Sequence, residues 1–505
     1  MKKLLIIISL FLGLQQTIAQ YTQIPDPNFE QALIDLGIDS EGTLDGQFLT
    51  TDALGVTELL IQENNISDLT GVEAFTDLLS LVAFENNISS IDLNLLSSTL
   101  HSLFLGNNNL TVIDLSPIHN IVNLNISANN LIQVDASNLI HMAALYTSNN
   151  TDLTSIIIEN CPNLQSLGFI NTKIQTIDFS ECFNLKWVSC YDNNYLDTLD
   201  FTLNQNLEEV RAHNSPLTDI NLPNNPDLVY LSVGPTLLTE LNVTNCPSLE
   251  KLFCSQIGLS TLDITQNPNL EIVSSSFNQY TTIDFSQNTA LKTLYLDNNL
   301  LSGNIDLSNN ISLEKLDLSY NLIETIDVSN SINLDNINLS NTPLTTIDLS
   351  ENPNIIVANF NECPNLEFIN IKNGTNNNTL SLLLAAVSPN LSCVVVDDPL
   401  ADNDNIIVDE NATLVGSAED CNLSISDAEL QDFVVVYPNP VKNRFQISAN
   451  SNLDIHKIQV LDLLGKILLD TKNTQQVNIS KLPSGLLFVK IYTNKGVLVK
   501  KIIKE

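Results

Sequence analysis

An aliphatic residue, usually followed by Asp, returns every 21 or 22 residues along most of the chain. It stands at Ile91, Ile113, Val134, Ile156, Ile177, Leu199, Ile220, Leu241, Leu262, Ile283, Ile305, Ile326 and Ile347. A period this short and regular demands a stack of like units. One unit reads L-x-x-L-x-L-x-x-N-x-L-x-x-I-D-L-S-x-N, and Leu313, Leu316, Leu318, Asn321, Ile323, Ile326 and Val328 fill it without a gap. The alternation around Leu316 and Leu318 is strand-like, because a two-residue period puts both side chains on one face. The Asn and Ser positions that follow suit a tight turn. Ile326-Asp327-Val328 then forms a second extended piece across the opposite side of the coil. A single coil buries too few apolar side chains to offset the entropy of ordering its backbone. Stacking closes that gap, since each coil covers its neighbour's apolar ends and pairs its strands at about 5 Å per coil. Asn108, Asn129, Asn150, Asn193, Asn278, Asn299 and Asn321 occupy equivalent places, where stacked amides satisfy turn backbone groups.

The formal net charge is −38, unevenly placed. From Val434 to Glu505 eleven Lys/Arg face four Asp/Glu, whereas Leu4 to Phe433 holds seven basic and fifty-four acidic residues. So acidic a body is repelled by nucleic acid and anionic membranes and reads as the surface of a soluble exported protein. The start agrees: Lys2 and Lys3, the apolar run Leu4 to Leu14, and Thr17-Ile18-Ala19 before Gln20 read as a signal peptide over 1–19. That run is too short to span a bilayer. Eight cysteines in 505 residues permit local disulfides but do not define the fold.

The repeat resembles a leucine-rich repeat, over roughly Leu54 to Ile371. The resemblance implies a solenoid of 21–22-residue repeats with a parallel β-sheet on its concave face, a form that mostly serves protein or glycan recognition. A right-handed β-helix has similar rungs and Asn ladders; the unbroken L-x-L-x-x-N-x-L phrase favours the leucine-rich reading. At the front, "NFEQALIDLGI" after Asp26-Pro27 predicts a helical cap with Phe29, Leu33 and Leu36 on one face and Gly37 as its stop. "IPDPNFEQALIDLGID" and "ISDLTGVEAFTDL" resemble the N-terminal cap of exported leucine-rich repeat proteins of Bacteroidetes-type bacteria. "LSCVVVDDPLADND" and "SAEDCN" resemble the closing segment of that group, which implies a Cys393–Cys421 disulfide.

The last segment has alternating apolar strands with turns at Leu464-Gly465-Lys466 and Asn494-Lys495-Gly496, which predicts a small β-sandwich. Tyr437-Pro438-Asn439-Pro440, Gly465-Lys466, "LPSGLLFVKI" with Gly485, and the basic end with Lys500 and Lys501 resemble the C-terminal sorting domain of the type IX secretion pathway. That resemblance implies passage from the periplasm through the outer membrane by the type IX machinery, to the cell surface or the medium. Leu487 departs from the pattern, which more often has an aromatic there, and the adjacent Phe488 is a candidate substitute. The expected organisation is a signal peptide over 1–19, an N-terminal cap and first repeat over 20–75, and a solenoid over 76–392. A C-terminal cap with disulfide and linker follows over 393–426, then the sorting domain over 427–505.

Little in the chain suggests chemistry. Histidines are scattered, with no HExxH, GxSxG elbow or phosphate loop. The Asp column (Asp92, Asp114, Asp135, Asp178, Asp200, Asp263, Asp284, Asp306, Asp327, Asp348) reads as a solvated edge, with calcium between coils as the sharper hypothesis. "DSEGTLDG" from Asp39 lacks regular calcium-loop spacing and reads as a cap loop. Cys190 and Cys254 replace inward leucines; Cys161, Cys182, Cys246 and Cys363 are assigned one further column, in which Cys161 and Cys182 are near enough either to bridge or to remain free thiols. No cofactor is implied, and the chain reads as noncatalytic.

The residues between the strand leucines point outward and are mostly Ser, Asn, Thr or Gly. The middle coils differ: Trp187 and Tyr191 fall on one strand, Arg211 and His213 on the next, Tyr230 on the third and Phe253 on the fourth. Trp187 is the sole tryptophan and Arg211 the sole arginine before Arg444, and the Asn column lapses nearby at Ser215, Thr236 and Ile257. Aromatics and Arg on a rigid sheet are what binding hot spots use. The leading expectation is adhesion to a protein or surface ligand there. Glycan capture is the second reading, and a β-helix enzyme acting on polysaccharide, which needs basic residues this body lacks, the third.

Overall fold

The rows of inward leucines superpose from coil to coil. Leu103, Leu124 and Leu145 are fully buried and paired in register, Leu103 with Leu124 and Leu124 with Leu145. The structure, a computed structural model, describes residues 20–96, 99–375, 379–401, 403–424, 434–449, 455–463, 465–472, 476–493 and 496–505. The expected signal peptide, residues 425–433, and the turn residues Leu464, Asn494 and Lys495 lie outside them. The chain divides into two units, Met1–Ser302 with Asp306–Asn321 and Gly303–Ile305 with Leu322–Glu505.

The first unit opens with the strand Tyr21–Gln23, the helix Pro27–Asp35 and the strand Gln47–Leu49, which pairs antiparallel with the first. Asp26 caps the helix: its Oδ1 accepts from the Asn28 and Phe29 N–H groups, and its Oδ2 from Ser67 and Asp68 of the first coil. Phe29 and Leu33 are buried as the spacing predicts, but Leu36 is 44% exposed. The helix ends at Asp35, so Leu36 is its C-cap and has turned off the apolar face. The "DSEGTLDG" loop is held by buried Glu30, whose Oε1 accepts from the N–H groups of Asp45 (2.8 Å), Gly46 (2.9 Å) and Gln47 (3.3 Å).

Three-residue strands then pair in parallel, coil upon coil, from Glu58–Leu60 to Lys315–Asp317. The central residue of each is buried and its neighbours face outward. The opposite side is less regular: only some coils pair there, as Gln133–Asp135 does with Ser155–Ile157 and Thr198–Asp200 with Asp219–Asn221.

Polar ladders join the coils. Asn129 donates from Nδ2 to the Leu105 and Ile126 carbonyls and accepts the Leu110 N–H at Oδ1. Asn108, Asn150, Asn299 and Asn321 bond in the same way. A second amide column, which the sequence reading left unassigned, lies on the other side of the coil. Asn204, Asn225, Asn267, Asn288 and Asn352 are fully buried, and each donates from Nδ2 to a carbonyl of the preceding coil.

Every member of the Asp column accepts the backbone N–H two residues on, from Asn94 after Asp92 to Ser350 after Asp348. The column therefore closes the turn that ends the second side, since Asp135, Asp200 and Asp348 are the last residues of their strands there. The hydroxyl and N–H of the following Ser or Thr hold the Asp114, Asp263, Asp284 and Asp306 carboxyls below the ordinary carboxylate range. Among the described residues no three His, Cys, Asp or Glu side chains gather as a metal-holding group.

In the second unit the strands Asn336–Asn338, Val357–Asn359, Leu382–Ala385 and Ile406–Val408 pair in parallel. Thr346–Asp348, Phe368–Asn370, Cys393–Val395 and Thr413–Val415 form a matching sheet on the other side. Cys393 and Cys421 form the disulfide that the family resemblance implied, with Cα atoms 5.5 Å apart. Beyond it two antiparallel sheets share one core. Val434, Phe445, Ile447 and Val477 come from one sheet, and Ile458, Val460, Leu487, Val489, Ile491, Leu498 and Ile502 from the other. Leu487 itself fills the core, and Phe488 points to the opposite face, so Phe488 does not substitute for it.

Candidate functional site

Coil stacking places the six candidate residues on one outward face of the first unit, because register carries each coil's outward positions over those of the last. Trp187 pairs in register with Glu209, Arg211 with Ser232, Tyr230 with Lys251 and Ser232 with Phe253. The rings and the guanidinium then meet across coils. Tyr191 stacks on His213 with centroids 4.5 Å apart and planes 8° from parallel. Arg211 lies 4.8 Å over the Tyr230 ring, whose other neighbour is Phe253 at 5.3 Å. Trp187, 40% exposed, is met by Lys186 at 5.5 Å.

The cations here are shared with carboxylates: Lys186 pairs with Glu208 at 2.5 Å, and Arg211 with Glu209. Burial lowers the His213 pKa below its ordinary value, and the neighbouring Arg211 lowers it further against the opposing pull of Asp192. Its Nδ1 lies 3.1 Å from the Ser232 hydroxyl. His213 is therefore a neutral ring at neutral pH, suited to stacking.

Two features of this face were missed in the sequence. One is the placement of cations: of the seven basic residues between Leu4 and Phe433, Lys186, Arg211, Lys251, Lys292 and Lys315 all lie in or just before strands of this sheet. The other is a shallow cleft of about 630 Å³ beside Tyr191, lined by Asn149, Ile170, Asn171, Asp192 and Asn214 among others. Its sequence signal is a run of Asn or Asp in four successive coils, one position before the Asn column.

The remaining cysteines give no nucleophile. Cys161, Cys182, Cys190, Cys246, Cys254 and Cys363 are all buried free thiols. Burial pushes Cys161 up to about 11 and Cys182 up to about 12, away from the reactive thiolate. Cys161 and Cys182 are thus unbridged. Cys363 departs from the column assigned to it: its thiol meets the Leu339 carbonyl at 3.3 Å and Thr342, as an amide of the strand-side ladder would. Both turns of a coil accept a small buried polar residue followed by Pro, so similar text marks two different places.

The C-terminal motif is a clasp. Asn439 accepts the Ile503 N–H at 2.8 Å and donates to the Lys501 carbonyl at 3.0 Å, which locks Tyr437-Pro438-Asn439-Pro440 onto the final strand, Gly496–Lys504. Gly465 (φ 78°) and Gly485 (φ 137°) take backbone conformations that favour glycine, the first beside Lys466 in the turn closed by Asp462. Lys500 and Lys501 lie on the same last strand, paired with Val489 and Phe488.

Residues 435–505 match the family described as the Secretion system C-terminal sorting domain. Among solved structures, the functional domain of InlJ from Listeria monocytogenes, described as including a cysteine ladder, is 21% identical. It covers 96% of this chain and 99% of its own, with a TM-score of 0.61. An internalin, InlF, from the same organism is 18% identical over 68% of this chain and 95% of its own (TM-score 0.50). A leucine-rich repeat protein of Leptospira interrogans is 19% identical over 71% and 97% (TM-score 0.51). No curated protein matches the chain. Among the described residues no helix is long and apolar enough to cross a membrane. The sorting domain marks the chain for export to the cell surface or beyond. The chain has a leucine-rich repeat fold and carries at its C-terminal end a type IX secretion sorting domain, which marks it for export.

Proposed function

We propose that the exported repeat body is a noncatalytic recognition module that binds a protein or surface ligand through Trp187, Tyr191, Arg211, His213, Tyr230 and Phe253. One observation carries this reading: four successive coils replace the usual small polar residues with rings and a guanidinium that pack on one another. Such a face is already ordered by its strands, so a partner gains large contact area at small entropic cost. Trp and Arg are the residue types that most often dominate binding, at about 2 kcal/mol or more each. The test is a surface-protein and glycan array screened with the chain lacking residues 1–19, followed by the Trp187→Ala/Arg211→Ala double variant. At least tenfold weaker binding of the captured ligand is expected, and unchanged affinity removes the patch from the reading.

A further inference from the structure

We infer that the cleft at Tyr191 is a binding site for a neutral sugar ring, which shares Tyr191 with the aromatic patch and is otherwise lined by its own residues. The cleft follows the turn edge of consecutive coils, where Asn149, Asn171, Asp192 and Asn214 stand one above another. All four have left-handed backbone, with φ between 53° and 58°. That conformation favours Asn and Asp but does not account for the run. In other coils the same turn position at similar φ is held by Glu85, Ala128, Gln256, Phe277 and Tyr320 as well as by Asn107, Asn298 and Asn341. Four amide or carboxylate side chains in succession occur here, where a cleft forms beside them.

The rim is fixed before any ligand arrives. The Asn149 N–H donates to the Ile170 carbonyl (2.8 Å), Asn171 to Tyr191 (3.3 Å) and Asp192 to His213 (3.1 Å). The side chains are oriented as well: Asn171 Nδ2 donates to Asn149 Oδ1 at 3.2 Å, and Asn214 Nδ2 to Asp192 Oδ1 at 2.9 Å. These pairs leave one amide donor, Asn149 Nδ2, and three acceptor oxygens, Asn171 Oδ1, Asp192 Oδ2 and Asn214 Oδ1, to face a ligand. Vicinal hydroxyls, each both donor and acceptor, complement such a set. Tyr191 has one face covered by His213, and the ring also lines the cleft with Ile170, giving an apolar wall for the C–H face of a pyranose.

The lining decides the charge of the ligand. It holds no Lys or Arg, and Asp192 repels an anion, so a phosphate, sulfate or uronate is disfavoured. A single carboxylate does not make a cation site. The volume falls within the roughly 300–1,000 Å³ usual for small-molecule sites and accommodates a short neutral oligosaccharide.

Saturation-transfer NMR on the full chain, with methyl glycosides of mannose, galactose and glucose and the methyl glycoside of glucuronic acid as the anionic control, tests this. At least one neutral glycoside should give transfer, lost in Asp192→Ala and at least tenfold weaker in Asn149→Ala/Asn214→Ala. Alanine is accommodated at this turn position, as Ala128 shows, and Asp192→Asn, which keeps the bond to Asn214, serves as a second variant with the fold intact and weakened transfer. Trp187→Ala/Arg211→Ala should leave transfer unchanged, which separates this site from the patch. No transfer from any neutral glycoside, equal transfer from the glucuronide, or transfer that survives Asp192→Ala overturns the inference.

Discussion

On the strand side, amides from Asn108 to Asn193 and from Asn278 to Asn321 tie successive coils, with the Thr172 hydroxyl standing in once, whereas the three consecutive coils at Ser215, Thr236 and Ile257 have no amide there. Asn299 joins its coil to the previous one through the Ser275 carbonyl and the Tyr280 N–H. At the equivalent places Ser215 reaches its neighbours only at 3.4 Å, the buried Thr236 hydroxyl has no partner, and Ile257 has nothing to offer. Arg211, His213, Tyr230 and Phe253 lie on these three coils, which Asn225 and Asn267 still join on the other side, while Trp187 and Tyr191 lie on the Asn193 coil beside them. The difference teaches that the ladder is a stability device which a few coils can forgo, since the inward rows Val188, Val210, Leu231 and Leu252 remain fully buried there. Selection for what faces outward and selection for what holds the coils together act on separate rows of the same strand.

The comparison breaks most visibly by removing an amide from a tied coil. Asn299→Ala leaves the buried Tyr280 N–H and the Ser275 and Leu296 carbonyls short of a partner. At about 1–3 kcal/mol for each unsatisfied group, partly relieved by relaxation, we expect a loss of about 3 kcal/mol in urea denaturation. A loss under about 1 kcal/mol means the ladder is ornament and the contrast between the two stretches is empty. The converse change sharpens the contrast. Ser215→Asn places an amide next to Asn193 and should stabilise the chain by about 1 kcal/mol by the same measurement, with the patch unaltered. Destabilisation shows instead that the coil backbone there has diverged too far to take a rung.

A smaller effect is expected from the patch itself. Trp187 and Arg211 face outward, and Arg211 is paired with Glu209 near solvent, where ion pairs contribute little. Trp187→Ala/Arg211→Ala should therefore change folding stability by less than about 0.5 kcal/mol, read as the denaturation midpoint. A loss comparable to that of Asn299→Ala makes these side chains structural and removes the reason to assign them to a partner.

What could be read from the sequence follows from how local each feature is. The inward rows and the strand-side Asn column repeat at fixed spacing within one coil, so stacking them required only the period. Leu36 could not be placed, because whether a helix runs one residue further is settled by its cap. The amides of the second column were visible in the repeat text, but their role depends on carbonyls 21 to 25 residues earlier, as between Asn267 and the Cys246 and Val243 oxygens. The Tyr191 cleft is harder still: it exists only between coils, at a turn position where the chain elsewhere has Ala, Glu or Phe as well as single Asn residues. The six patch residues were legible because they break a pattern. Their pairing into Tyr191–His213 and Arg211–Tyr230–Phe253, with Trp187 apart, was not.

That pairing has a consequence for His213. Its ring is stacked on Tyr191, partly buried, and near the Arg211 guanidinium, while Asp192 draws its pKa the other way. Burial and Arg211 prevail, so the folded protein takes up a proton at His213 at lower pH than an unfolded chain, near 6.5. As pH falls below that value the unfolded state binds the proton first, and the stability tied to this ring, fully present above it, is lost as the pH falls. The imidazole should titrate below free histidine in a proton NMR series on the full chain. Arg211→Gln, which removes the repulsion without emptying the face, should move the midpoint upward while leaving it below the free value, because burial remains the larger cause. A midpoint unmoved by Arg211→Gln means that the guanidinium stays with Glu209 and Tyr230 and does not act on His213. The middle coils would then carry two independent contact clusters in place of one continuous face.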